Sequence, residues 1–113
     1  MDDERELTIL NEKIAEDEEK GDEEALRRAL SDKLVFKRAD DSIVTKETFL
    51  SEVKNKMFPR ASSDVKVLVN EAKDLALVSL VVEANGSRIQ NLRVFEKGVN
   101  GWQMVIWHNT KLS

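Results

Sequence analysis

The stretch GWQMVIWHNT at 101–110 gathers both tryptophans and the single histidine of this 113-residue chain. His108 is a candidate proton-transfer group, because an imidazole titrates near neutrality. Trp107 could form a cavity wall, apolar with one N–H donor. Arg93, in QNLRVFEK at 90–97, could grip a carboxylate or phosphate through its planar fork of donors. Asp40, with its neighbour Asp41, could act as a base at a pocket mouth. Each has a plainer reading. A lone histidine on an apolar strand serves as a hydrogen-bonded structural residue. The arginine can snorkel to water or pair with an acid across a sheet. Adjacent aspartates in ADDS at 39–42 bond their own backbone in a turn. Both tryptophans can simply pack.

Some chemistry is excluded outright. The chain has no cysteine, so disulfides, thiolate metal sites and a cysteine nucleophile are absent. No triad motif accompanies His108, and one histidine without a nearby ligand partner makes a poor metal set. We expect no metal and no cofactor. Apolar residues make up 41% and charged residues 35%, the composition of one soluble globular domain spanning 1–113. The opening MDDERE is the opposite of a signal peptide, and LALVSLVV at 75–82 is far too short for a membrane span, so the expected location is cytoplasmic. Residues 1–24 hold 12 acids and 3 bases, a net of −9, and residues 25–113 hold 10 acids and 15 bases, a net of +5. The first block reads as a solvated acidic helix face; the basic remainder could instead surround an anion pocket. A total charge of −4 without a basic stripe argues against a nucleic-acid partner.

The elements that must position these residues follow from periodicity. Leu7, Leu10 and Ile14 predict a helix over 3–20, with EDEEK at 16–20 solvated and Gly21 as its stop. Asp22 caps a short helix DEEALRRAL, and KLVFKR at 33–38 is a strand. Thr45 caps a third helix, KETFLSEVKNK, stopped by Pro59. Four strands follow, at 64–73, 75–84, 87–97 and 102–112, separated by Lys73-Asp74, Asn85-Gly86 and the Gly98–Gly101 turn. Asn-Gly is a strong hairpin signal, so Asn85-Gly86-Ser87 reads as a turn rather than a glycosylation acceptor. The expected class is α+β, three N-terminal helices on a curved antiparallel sheet.

Two of these strands are apolar on both faces. Leu75, Leu77 and Val81 oppose Ala76, Val78, Leu80 and Val82, and Met104 and Ile106 oppose Val105 and Trp107. A sheet with one wet face should alternate. Three short helices cover only one face, so we expect a second copy of the chain on the other, in a homodimer. The face presented by Arg93 depends on the last hairpin. An even loop puts Arg93 with Ile106 and His108; a bulge puts it with Trp107 and Asn109. We expect the bulge, with the glycines at both ends of the loop as its place.

The order of elements, with KGDEEALRRAL, LVFKRADDSIVTKETFL and LRVFEKGVNGWQMVIWHNT, resembles the nuclear transport factor 2-like superfamily. Within it the chain is similar to the domain of unknown function 4440 and SnoaL-like group, and to the association domain of calcium/calmodulin-dependent kinase II. The resemblance implies a cone-shaped domain whose sheet wraps a long helix around a pocket. It implies that Arg93 lines that pocket and binds carboxylates, while Asn109 stands at the kinase family's second carboxylate-binding position, so one cationic group is missing. The isomerase branch needs a tyrosine, and this chain has none. The expected function is a dimeric pocket domain for a small polar or anionic molecule. Arg93, Asn109 and Asn91 would hold its polar end, and Phe36, Phe95 and Trp107 would form the wall. The alternatives are an isomerase-, dehydratase- or cyclase-like enzyme using His108 or Asp40, and a plain oligomerisation module.

Overall fold

The computed structural model describes residues 2–53 and 60–113. The chain runs α1 (Asp3–Lys20), α2 (Glu23–Ala29), β1 (Leu30–Lys37), β2 (Ile43–Val44), α3 (Lys46–Val53), β3 (Ala61–Val69), β4 (Leu75–Ala84), β5 (Ser87–Gly98) and β6 (Gly101–Lys111). The local signals act as expected. Gly21 closes α1 in the left-handed conformation (φ 70°), where a side chain would be strained. The Asp22 carboxylate accepts from the Ala25 N–H, and the Thr45 hydroxyl from the Thr48 N–H. Asn85 and Gly86 both take positive φ, the geometry of a tight hairpin. Residues 54–56 of the expected third helix, and Pro59, lie outside the described residues.

Six strands form one curved sheet in the order β2-β1-β6-β5-β4-β3. The sheet is mixed, which corrects the antiparallel expectation: β1 runs parallel to β6, with Phe36 beside Trp107. The connection between them carries β2, α3, β3, β4 and β5, so only the assembled sheet brings them together. β1 and β2 lie between α2 and α3, the first of them where the strand KLVFKR was expected. The helices lie over one face, and between them and the sheet sits a single apolar core that includes Leu7, Ile14, Leu26, Leu50, Val78, Leu80 and Phe95. Burying each large aliphatic or aromatic side chain there contributes roughly 1.5–3 kcal/mol.

The feature that positions the site is a bulge in β6. Gly98 pairs with Gly101 and Lys97 with Trp102, so the turn itself is even, and the expected bulge at its glycines is absent. The register shifts further along instead, between Phe95↔Met104 and Val94↔Ile106, leaving Val105 as the extra residue. That single insertion switches parity. Even-numbered Trp102 and Met104 are buried before it, and odd-numbered Trp107 after it, all on the helix side. Arg93 therefore stands opposite Trp107, and Asn91 opposite Asn109.

Candidate functional site

Helix α1 has a period that places Leu7, Asn11, Ile14 and Glu18 on one buried face, two of them polar. This corrects the expectation that EDEEK is solvated: Asp17 is 2% exposed and Glu18 4%. Their burial is matched by partners. Lys13 reaches the Asp17 carboxylate at 2.6 Å, and the Arg60 guanidinium donates to Glu18 Oε2 at 2.7 Å. Arg93, 1% exposed, donates from Nη1 to Asn11 Oδ1 at 2.7 Å and lies 3.6 Å from Glu18 Oε1. A buried arginine, Arg93, and a half-buried one, Arg60, thus share one buried glutamate.

Asn91 ties this cluster to the tryptophan. Its Oδ1 accepts from Trp107 Nε1 at 2.8 Å and from Arg93 Nη2 at 3.4 Å. The Arg93 guanidinium also sits 4.8 Å from the centre of the Trp107 ring. Phe36 stacks on Trp107 with ring centres 4.3 Å apart, and Phe49 meets both rings edge-on. Burial pushes the Glu18 carboxyl above the ordinary range, against the downward pull of Arg93 and Arg60. Burial likewise lowers Arg93 to about 10, against the upward pull of Glu18. Both shifts have the same dominant cause, loss of water.

Beside this cluster lies a cavity of about 280 Å³, near the lower edge of the roughly 300–1,000 Å³ typical of small-molecule sites. Phe36, Phe49, Val82, Ile89 and Trp107 supply apolar wall, and Glu18, Arg60, Asn91 and Asn109 line its polar side. Arg38 and Glu52, an ion pair, also line it. Four of the expected binding residues, Phe36, Asn91, Trp107 and Asn109, thus border one space. Arg93 and Phe95 do not border it; both are fully buried behind it, Arg93 held by partners within the fold and Phe95 in the core. His108 is paired with Lys37 and Leu92 in the sheet and faces the side away from the helices. Asp40 is exposed, accepting from Ser42, which draws its carboxyl below the ordinary value. Among the described residues no group of three or more His, Asp or Glu side chains is gathered to hold a metal, and no helix is long and apolar enough to cross a membrane.

A sheet curved around helix α1, with a cavity between them, has close counterparts among solved structures. The chain superposes on an NTF2-like protein from Cytophaga hutchinsonii with a TM-score of 0.90, over 99% of this chain and 100% of that one, at 21% identity. The fold is the nuclear transport factor 2-like fold. A protein from Exiguobacterium sibiricum, described as a candidate Ca/calmodulin-dependent kinase II association domain, matches at TM-score 0.84 and 22% identity, over 95% and 91% of the two chains. A candidate dehydratase of the NTF2-like family from Streptomyces avermitilis matches at 0.82 and 17%, over 98% and 96%. No protein-family model and no curated protein matches the sequence. Within this fold, sequence reasoning missed Asn11, Glu18 and Arg60. The signal for the first two was present, since their spacing of four from Leu7 and Ile14 lies on the apolar face of α1. Arg60 carried none, because only the chain fold brings it to Glu18.

Proposed function

We propose that this chain is a dimeric pocket domain that binds a small molecule with an apolar body and one polar end. The observation that carries this reading is the unsatisfied polar side of the cavity. Glu18 Oε1, Arg60 Nε and Asn109 Oδ1 are buried without hydrogen-bond partners, and all three residues line the same space. Buried polar atoms are normally paired, and a ligand's polar end would complete them. In this reading Arg93 is a positioning residue, holding Glu18, Asn91 and Trp107.

The homodimer rests on the opposite face of the sheet. Register aligns Val35, Ile106, Val94, Leu77 and Leu68 in one row across five strands. Val35 is 50%, Ile106 44% and Leu68 66% exposed in the single chain. A continuous apolar row of this kind fits a self-complementary contact. A thermal-shift screen of small aromatic carboxylates and amides tests the pocket. Stabilisation by at least one, abolished when Ala39→Trp narrows the cavity, is the expected result. No response from any compound, with a folded control, defeats it.

A catalytic reading, isomerase-, dehydratase- or cyclase-like, has one observation in its favour: Glu18 brings a carboxyl into the cavity. In that case proton transfer runs through Glu18 rather than His108 or Asp40, and turnover is lost in Glu18→Gln.

A further inference from the structure

Among the described residues five buried side-chain polar atoms lack a hydrogen-bond partner; the three that belong to cavity-lining residues differ in kind, and their pattern selects a ligand class. Glu18 Oε1 is an acceptor only, and its companion Oε2 is occupied by Arg60. Asn109 Oδ1 is a second acceptor. Arg60 Nε is a donor, on the side of the guanidinium not used for Glu18, where Nη1 makes the bond. The complement of this set is a group that gives N–H protons and takes one. A carboxylate supplies acceptors alone, so its oxygens would meet the lone pairs of Glu18 and Asn109 with no proton between them. The buried charge does not rescue it, because Glu18 already lies between Arg93 and Arg60.

We infer that the cavity takes a neutral primary carboxamide borne on an apolar ring, whose carbonyl accepts from Arg60 and whose two N–H groups donate to Glu18 and Asn109. The inference rests on the pocket reading above and narrows it. The apolar remainder of the ligand lies against Phe36, Phe49 and Trp107. A carboxylate can imitate an amide here only by binding together with a proton, placed between its own oxygen and Glu18 Oε1. The two chemistries therefore separate by pH. Amide binding does not weaken as pH rises, because the N–H donates to an ionised Glu18, whereas carboxylate binding weakens by up to about tenfold for each unit of rising pH, through proton linkage.

The test is calorimetric titration of the full chain with 1-naphthamide and with 1-naphthoate, between pH 6 and pH 8.5. We expect the amide to bind about tenfold to a hundredfold more tightly at pH 8, the range for hydrogen bonds to charged groups. In Glu18→Gln, which puts a donor beside the ligand, the amide weakens and the naphthoate gains. Should that variant not fold, the wild-type pH series decides alone. Naphthoate binding as tight as naphthamide and independent of pH overturns the inference and leaves the pocket reading standing. Binding of neither probe at millimolar concentration removes both.

Discussion

Replacing Asn11 by leucine probes whether the buried arginine is held from helix α1. The side chains share their branching and number of heavy atoms, so the shape is largely kept, but Arg93 Nη1 loses an acceptor at 2.7 Å in a site where the guanidinium is 1% exposed. A hydrogen bond to a charged group contributes about 1.5–3 kcal/mol. For 113 residues the whole stability is roughly 6–17 kcal/mol, so the loss is a visible fraction. It corresponds to a fall in Tm of about 6–12 °C at the unfolding entropy of a domain this size. Arg93→Met alone strips Asn11 of its donor and leaves Glu18 to Arg60, at a cost of about 3–5 kcal/mol for a broken buried pair. The double variant should be less damaged than the sum of the singles by about 1–2 kcal/mol, since each single leaves the other's polar atom stranded. Urea unfolding followed by circular dichroism gives all four stabilities, with the slope against denaturant unchanged. Additivity within about 0.5 kcal/mol, or an Asn11→Leu cost below about 0.5 kcal/mol, would refute the clamp.

Ile106→Lys places a charge in the middle of the exposed apolar row; sedimentation should show the wild type dimeric at tens of micromolar and the variant monomeric, with its melting little changed. Because burial raises the Glu18 pKa, the stability this group contributes is fully present below its ordinary value of 4.5 and is lost as pH rises through the higher folded value. Measured against Glu18→Gln, the wild type's relative stability should therefore fall with rising pH across that interval, and a flat or rising difference contradicts the shift. Deleting Val105 removes the parity switch, forcing either Trp102 and Met104 or Trp107 and Asn109 to the opposite face. That exposes at least one large buried side chain at roughly 1.5–3 kcal/mol each, and a cooperative thermal transition at the wild-type temperature would contradict the register.

Much of the frame was legible from local rules. The Gly21 stop, the Asp22 and Thr45 caps, and the Asn85-Gly86 hairpin each involve atoms within a few residues, so residue type decides them. Strand β4 is found where its apolar, β-branched run between Lys73-Asp74 and Asn85-Gly86 placed it, at Leu75–Ala84. The bulge was legible only in part. Trp102 and Trp107 are five residues apart, an odd spacing that a regular strand sends to opposite faces, so their common burial demands an extra residue between them. The glycines of the turn drew attention to the wrong place. Gly101 alone uses its conformational freedom, at φ 88°, in an even turn.

The acidic run of α1 shows where local reading ends. Charge runs are solvated by default, and Glu16 and Lys20 behave that way as an exposed pair. Glu18 departs from it because Arg60, 42 positions away, and Arg93, 75 positions away, both converge on it. Chain order by itself therefore determined the helices, the turns and the two-faced apolar character of the sheet, because those depend on neighbours a few residues apart. The parallel seating of β1 beside β6, the side to which Trp107 and His108 turn, and the convergence of two arginines on one buried glutamate were decided by tertiary structure alone. Each is a contact between distant segments, and its free energy exists only once the sheet has closed over the helix.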